Sequence, residues 1–199
     1  MKSLTLKIAV AVAGALVVSG AFDRAVRAND DNERRFFFST NLSTFNEVPP
    51  KATGASGTFR AKLSPDGSTL SWTFTWEGLT GPPLFAHIHF GQKGTNSQIM
   101  TFFCGGPPAG GAVPTKPDCP QSTSGSITGT TTAADIIALD QNIPNKEVDQ
   151  GLPAADFAAF LQALRHGDGY ANMHTPRFPG GEIRGQIRAH IGEHDNDHN

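Results

Sequence analysis

The chain is short of cationic charge, cysteine and tyrosine: 16 Lys and Arg stand against 18 Asp and Glu, with two cysteines and one tyrosine. Without clustered Lys and Arg it lacks what a nucleic-acid backbone requires of a partner. Long apolar runs are equally scarce. The one that stands out, Ile8 to Val18 in "MKSLTLKIAVAVAGALVVSGA", falls short of the roughly 20 residues that span a bilayer. Lys2 and Lys7 precede it and the small residues Ser19 and Gly20 follow, the layout of a secretory signal peptide over residues 1–28. Cleavage is expected after Ala28 ("VRA"), where the polar "NDDNERR" begins, or after Ala21 ("SGA"). Removing Lys2, Lys7, Arg24, Arg27 and Asp23 leaves 12 basic and 17 acidic residues, a formal charge of −5. No cysteine stands at either cleavage point to take a lipid, and no later segment is apolar enough to anchor the chain. The expected setting is export, to a periplasm or to the extracellular space, with no nucleic-acid partner and no membrane anchor.

Catalytic signatures are missing too. There is no G-x-S-x-G elbow, no phosphate-cradling glycine loop between strand and helix, and no carboxylate pair recognisable from spacing. No residue is therefore assigned a catalytic role.

What remains, about 170 residues, suits one domain with a sizeable core, and its 22 Gly, 14 Pro and 14 Phe point to β structure. In "TLSWTFTWEG" Leu70, Trp72, Phe74 and Trp76 alternate with Ser71, Thr73, Thr75 and Glu77, the period of a half-buried strand. "SGTFRAKLS" repeats the pattern, and "SPDGS" between them is a hairpin turn. Further strands are expected at Arg35 to Leu42, Leu84 to Phe90, Gln98 to Phe103, Ser124 to Thr130, Tyr170 to Thr175 and Glu182 to Ala189. Eight short strands imply a sandwich or barrel. Two short helices interrupt them. "TTAADIIAL" carries a capping-box spacing, Thr132 to Asp135. "LPAADFAAFLQALRHG" places Pro153 in a first turn and Gly167 past the end, with Phe157, Phe160, Leu161 and Leu164 on one side. The helices should cover an end or edge of the sheets. The polar end, 191–199, should be disordered.

Cys104 and Cys119 follow an export signal and bracket "GGPPAGGAVPTKPD", so they are read as a disulfide; a cysteine metal site would need more thiolates or nearby histidines.

The chemistry concentrates in "FAHIHFG". On a strand His87 and His89 share one face, their α-carbons roughly 6.5 to 7 Å apart, while Leu84, Ala86, Ile88 and Phe90 take the other. The pair fits either two ligands of one ion or two hydrogen-bonded histidines. In "GYANMHTPRFPGGEIRGQI" a third, His174, shares a strand face with Tyr170 and Asn172 and can reach the same site. Three neutral imidazoles with an open position suit copper first, and zinc also. Such ligands need acceptors for their other ring nitrogens, for which Tyr170, Asn172 and Glu182 are candidates. His190, His194 and His198 stand four apart in the tail and are at most an adventitious binder. His166 suits the dipole at a helix C-terminus.

The order of "NEVPP", "ASGTF", "AHIHFG", "CGG", "GTTTAADI" and "YANMHT" leading to "PGGEIRGQI" resembles the CHRD domain, the module named from chordin, over residues 36 to 190. The resemblance implies a secreted, mainly β domain of the single-domain bacterial kind. Chordin's cysteine-rich modules are missing here, so growth-factor antagonism does not carry over. More loosely, a His-x-His strand, a distant histidine and one disulfide are similar to the copper half of copper-zinc superoxide dismutase. The zinc loop and an anion-steering arginine are not recognisable. Together these resemblances imply an antiparallel β-sandwich, immunoglobulin-like or superoxide-dismutase-like. Three functions follow as expectations: a copper-binding or zinc-binding exported domain, a metal-free module for an extracellular or periplasmic protein partner, and a copper-only dismutase.

Overall fold

The computed structural model describes residues 35–105, 116–139 and 149–192. Both cleavage points, most of the cysteine-bracketed loop and the tail beyond 192, with His194 and His198, lie outside them. Among the described residues no helix is long and apolar enough to cross a membrane.

Among the described residues there are nine strands: β1 Arg35–Ser43, β2 Ser56–Leu63, β3 Leu70–Glu77, β4 Phe85–Phe90, β5 Ile99–Cys104, β6 Gly125–Thr131, β7 Gly169–His174, β8 Ile183–Gln186 and β9 Arg188–Gly192. One helix, α1 Phe157–His166, precedes β7. All pairings are antiparallel, in the order β5-β4-β7-β8-β1-β2-β3-β6, with β9 also on β1. The sheet curls over until it nearly closes, a mainly β, sandwich-like fold. Phe103 of β5 joins the two halves: its ring centroid lies 5.2 Å from Phe59, 4.7 Å from Trp72 and 5.3 Å from Phe74.

The alternation in β2 and β3 has its expected cause. Phe59, Ala61, Leu63, Leu70, Trp72, Phe74 and Trp76 are all buried in one core, and their neighbours point outward. Trp72 and Trp76 lie flat under Gly129 and Gly125, where any Cβ would come within 2.5 and 2.8 Å of an indole carbon. Both indoles still hydrogen-bond, to Thr131 Oγ1 at 3.1 Å and to the Ser122 carbonyl at 3.0 Å.

Four expectations are corrected. The run expected as one strand from Glu182 to Ala189 is two, parted at the buried Ile187, whose amide donates to the Gly169 carbonyl at 2.8 Å: β8 lies between β7 and β1, and β9 pairs with β1. The long helix starts at Phe157 rather than near Pro153. Asp156 caps it by accepting from the Ala159 amide at 2.9 Å, and Gly167 ends it in the left-handed region at φ 78°. "TTAADIIAL" makes only a single 3-10 turn, Ala133–Asp135, though the Thr132 amide does donate to Asp135 Oδ2 at 2.8 Å. Leu84 precedes β4 and is exposed. At the far end β9 carries order through Gly192, two residues past the expected boundary, and His190 on it lies 3.0 Å from Ser39 Oγ.

The cysteines are joined: Cys104 and Cys119 form a disulfide with α-carbons 4.9 Å apart. It fastens the end of β5 to the segment that leads into β6.

Candidate metal centre

β4 and β7 pair with Phe85 opposite His174, His87 opposite Asn172 and His89 opposite Tyr170. Directly paired residues point the same way, so all six side chains occupy one face of the sheet. Asn172 and Tyr170 pair in turn with Arg184 and Gln186 of β8, which extends that face. The opposite face, Ala86, Ile88, Ala171 and Met173, is core. The three histidines nevertheless are buried, with 1 %, 9 % and 6 % of the surface of His87, His89 and His174 exposed. The rings of Phe85 and Phe102 wall them off, 4.4 Å from His174 and 5.1 Å from His87.

The structure brings the three imidazoles together. The ring centroids of His89 and His174 lie 4.4 and 4.6 Å from that of His87. One ring nitrogen from each residue lies within 4.8 Å of the other two. Metal–nitrogen bonds of about 2.0–2.1 Å hold such atoms roughly 3 to 3.6 Å apart, so an ion would draw the rings inward by small rotations.

Hydrogen bonds fix which nitrogens are available. His89 Nδ1 lies 2.6 Å from the Ser97 carbonyl, which only accepts, so this nitrogen carries the proton and Nε2 keeps its lone pair. That Nε2 is buried without a partner, and so is His87 Nδ1. His174 Nδ1 lies 2.8 Å from the Pro179 carbonyl and by the same logic carries the proton. Its Nε2 lies 2.9 Å from Asn172 Oδ1. Carbonyls thus orient two of the rings as they orient metal-bound histidines. An unpartnered buried nitrogen is costly, and two on rings whose centroids lie 4.4 Å apart fit a bound cation.

All three imidazoles are neutral at pH 7. Burial pushes His87 well below its ordinary value, and His89 and His174, close by, reinforce the shift. Burial likewise lowers His89 and His174, each to about 4, against the help of the Ser97 and Pro179 carbonyls. Neutral imidazole is the form that ligates.

The expected supporting residues divide. Tyr170 stacks on His89, ring centroids 4.4 Å apart and planes 14° from parallel, and its hydroxyl accepts from the Ser97 amide at 3.2 Å. Asn172 touches His174 directly. Glu182 instead is fully buried and ties loops together: it accepts from Thr80 Oγ1 at 2.9 Å, the Thr80 amide at 3.0 Å and Thr175 Oγ1 at 2.7 Å. Two residues unassigned from sequence complete the centre. The guanidinium of Arg184 lies 3.4 Å above the Tyr170 ring and donates to Asn96 Oδ1 at 3.2 Å and to the Thr95 carbonyl. Glu47 is buried beside Asn172, and burial lifts its carboxyl to about 7 despite Arg184, Asn172 and Lys51. Both sit in motifs already quoted, "NEVPP" and "GEIRGQI", but only the folded loop shows which way they face.

A separate open cleft of about 620 Å³ adjoins this centre, lined by residues including Phe90, Asn96, Ser97 and Gln150. It holds none of the three histidines.

No curated protein and no solved structure matches the chain. A family description does, that of the CHRD domain, over residues 38–187. That stretch begins within β1, runs past the end of β8 and holds every residue of the centre. The protein belongs to the CHRD domain family.

Proposed function

We propose that this CHRD domain binds a transition-metal ion, copper foremost and zinc next, through His87, His89 and His174, and does so as an exported protein. The observation that carries the reading is the pair of buried, unpartnered nitrogens, His87 Nδ1 and His89 Nε2, beside a third imidazole. An all-imidazole set favours copper and zinc over magnesium, calcium or manganese, which prefer oxygen. Bound there, the ion would supply a Lewis-acidic or redox-capable centre. The protein's part is to hold three neutral rings in a dry, aromatic-walled pocket.

Binding is a better reading than dismutation. Arg184, a cation beside the centre, directs three hydrogen bonds to Asn96, Gln92 and Thr95 and its face to Tyr170, which leaves it less free to steer an anion. A metal-free interaction module draws support from His174, whose Nδ1 lies 2.8 Å from the Pro179 carbonyl and whose Nε2 lies 2.9 Å from Asn172. It leaves His87 and His89 unexplained. Export to a periplasm or beyond the cell is supported by the disulfide and by the charged-then-apolar N-terminal sequence.

Titrating the mature domain with Cu(II) and Cu(I), then repeating with His87→Ala and His89→Ala, tests the site. Loss of one tight equivalent in each variant is expected. Unchanged stoichiometry in both would refute it, and so would a melting temperature indifferent to chelators.

A further inference from the structure

Asn172 presents an acceptor and a donor on opposite sides. In the structure Oδ1 faces His174 Nε2 at 2.9 Å. Nδ2 is on the side of Glu47: a Cβ placed on Gly181 would meet Glu47 Oε1 at 2.6 Å and Asn172 Nδ2 at 2.8 Å. Glu47 Oε1 is buried and has no hydrogen-bond partner. Turning the amide over exchanges its oxygen and nitrogen in the same space.

Only one orientation suits the metal-free centre. His174 Nδ1 donates to the Pro179 carbonyl, so a neutral ring offers a lone pair at Nε2. That lone pair needs a donor, which is Asn172 Nδ2 in the turned orientation. Oδ1 then faces Glu47 and needs a donor from it, and a carboxyl donates only when protonated. The chain Glu47 O–H, Asn172, His174, Pro179 carbonyl is then consistent at every link. Once the Nε2 lone pair engages an ion, Asn172 Nδ2 loses its acceptor there. The orientation seen in the structure becomes the favoured one, with Nδ2 donating to an ionised Glu47 and Oδ1 turned toward the added positive charge.

We propose that Glu47 and Asn172 are proton-coupled positioning residues of the histidine centre, Glu47 giving up its proton when His174 is ligated and so supplying a compensating negative charge without being a ligand. This rests on the metal-binding reading above. The step is a proton transfer only: the carboxyl O–H bond breaks, the electron pair stays on Glu47, and the proton goes to buffer. Other groups bear on the same carboxyl. Arg184 from β8, Asn172 from β7 and Lys51 from its own loop favour the ionised form, and burial opposes ionisation with the largest effect. Tyr170, also on β7, feels Glu47 in turn.

The test counts protons released per Cu(II) bound, by pH-indicator titration in weak buffer, for the wild type, Glu47→Gln and Asn172→Ala. Glu47→Gln has the shape of the protonated carboxyl and should fold. With Glu47 near pH 7, about 0.9 of a proton per ion should be released at pH 6 in the wild type beyond that in Glu47→Gln, shrinking to about 0.1 at pH 8. Protons displaced from tail histidines are common to both and cancel. Asn172→Ala should bind Cu(II) yet lose the extra proton, because the link to His174 is cut. The infrared band of a protonated carboxyl should be present in the metal-free wild type at pH 6, vanish on loading, and be missing in Glu47→Gln. Equal proton release in the wild type and Glu47→Gln, with binding still abolished by His87→Ala, would overturn the coupling and leave the metal site standing. Cu(II) binding unaffected by His87→Ala would overturn both.

Discussion

Acid should destabilise the metal-free domain as the pH falls from 6.5 toward 4. His89 and His174 fall from 6.5 to about 4 on folding. A lowered folded value means stability present above pH 6.5 and lost as pH falls toward 4, because the unfolded chain takes up protons first. At 1.36 kcal/mol per unit, each contributes on the order of 3 kcal/mol, and His87 adds in the same direction. Glu47 runs the other way: raised from 4.5 to about 7, it is most stabilising below 4.5 and returns roughly 3 kcal/mol on acidification. The balance is a net loss of at least about 3 kcal/mol, a large part of a typical 5–15 kcal/mol. At roughly 2–4 °C per kcal/mol for a domain of this size, the melting temperature should drop by about 10 °C between pH 7.5 and 4.5. Circular-dichroism melts of chelator-treated protein across that range measure it, with His89→Phe/His174→Phe as the internal comparison. The double variant should lose most of the slope. A wild-type melting temperature flat to within a few degrees, or an equal decline in the double variant, would refute the assignment of three buried neutral imidazoles.

Two further outcomes concern the framework. Replacing both Cys104 and Cys119 with Ser opens a link of 15 positions, which should cost about 3 kcal/mol and lower the melting temperature by roughly 6–12 °C; reductant should do the same to the wild type and nothing to the variant. Gly185→Ala would bring a Cβ within 2.5 Å of Thr40 Oγ1 and 2.6 Å of the Asn41 carbonyl. Because a carbonyl in a paired strand cannot step aside, a loss of about 1–3 kcal/mol is expected from denaturant midpoints, and an unchanged midpoint would contradict the close approach of β8 to β1.

Much of this was legible in the sequence, for reasons specific to each element. Alternation reported faces reliably in β2 and β3, where every second residue meets the same core, and the same period put His87 and His89 together. It did not report the break at Ile187. Ile183, Gly185, Ile187 and Ala189 stay in phase across it, so the chain changes partner without changing period. Pro153 misled the helix start because proline is favoured in a first turn, whereas here Ala155 at φ 61° turns the chain first and Asp156 provides the cap. Glu182 alternates with Arg184 in sequence but stands ahead of β8, where the turn aims it at Thr80 and Thr175. Glu47 and Arg184 escaped because their place depends on loops crossing the face, which no local spacing records.

The pairing of β4 with β7 also sets when the centre can exist. His89 and His174 are about 85 residues apart in sequence, and contacts of such separation bear the entropy of closing a long loop before they return anything. A nascent or unfolded chain offers only His87-Ile88-His89, a weak two-point chelate. The third imidazole arrives with the sheet. An ion that requires all three therefore registers completed topology, and its capture converts a late folding event into binding free energy.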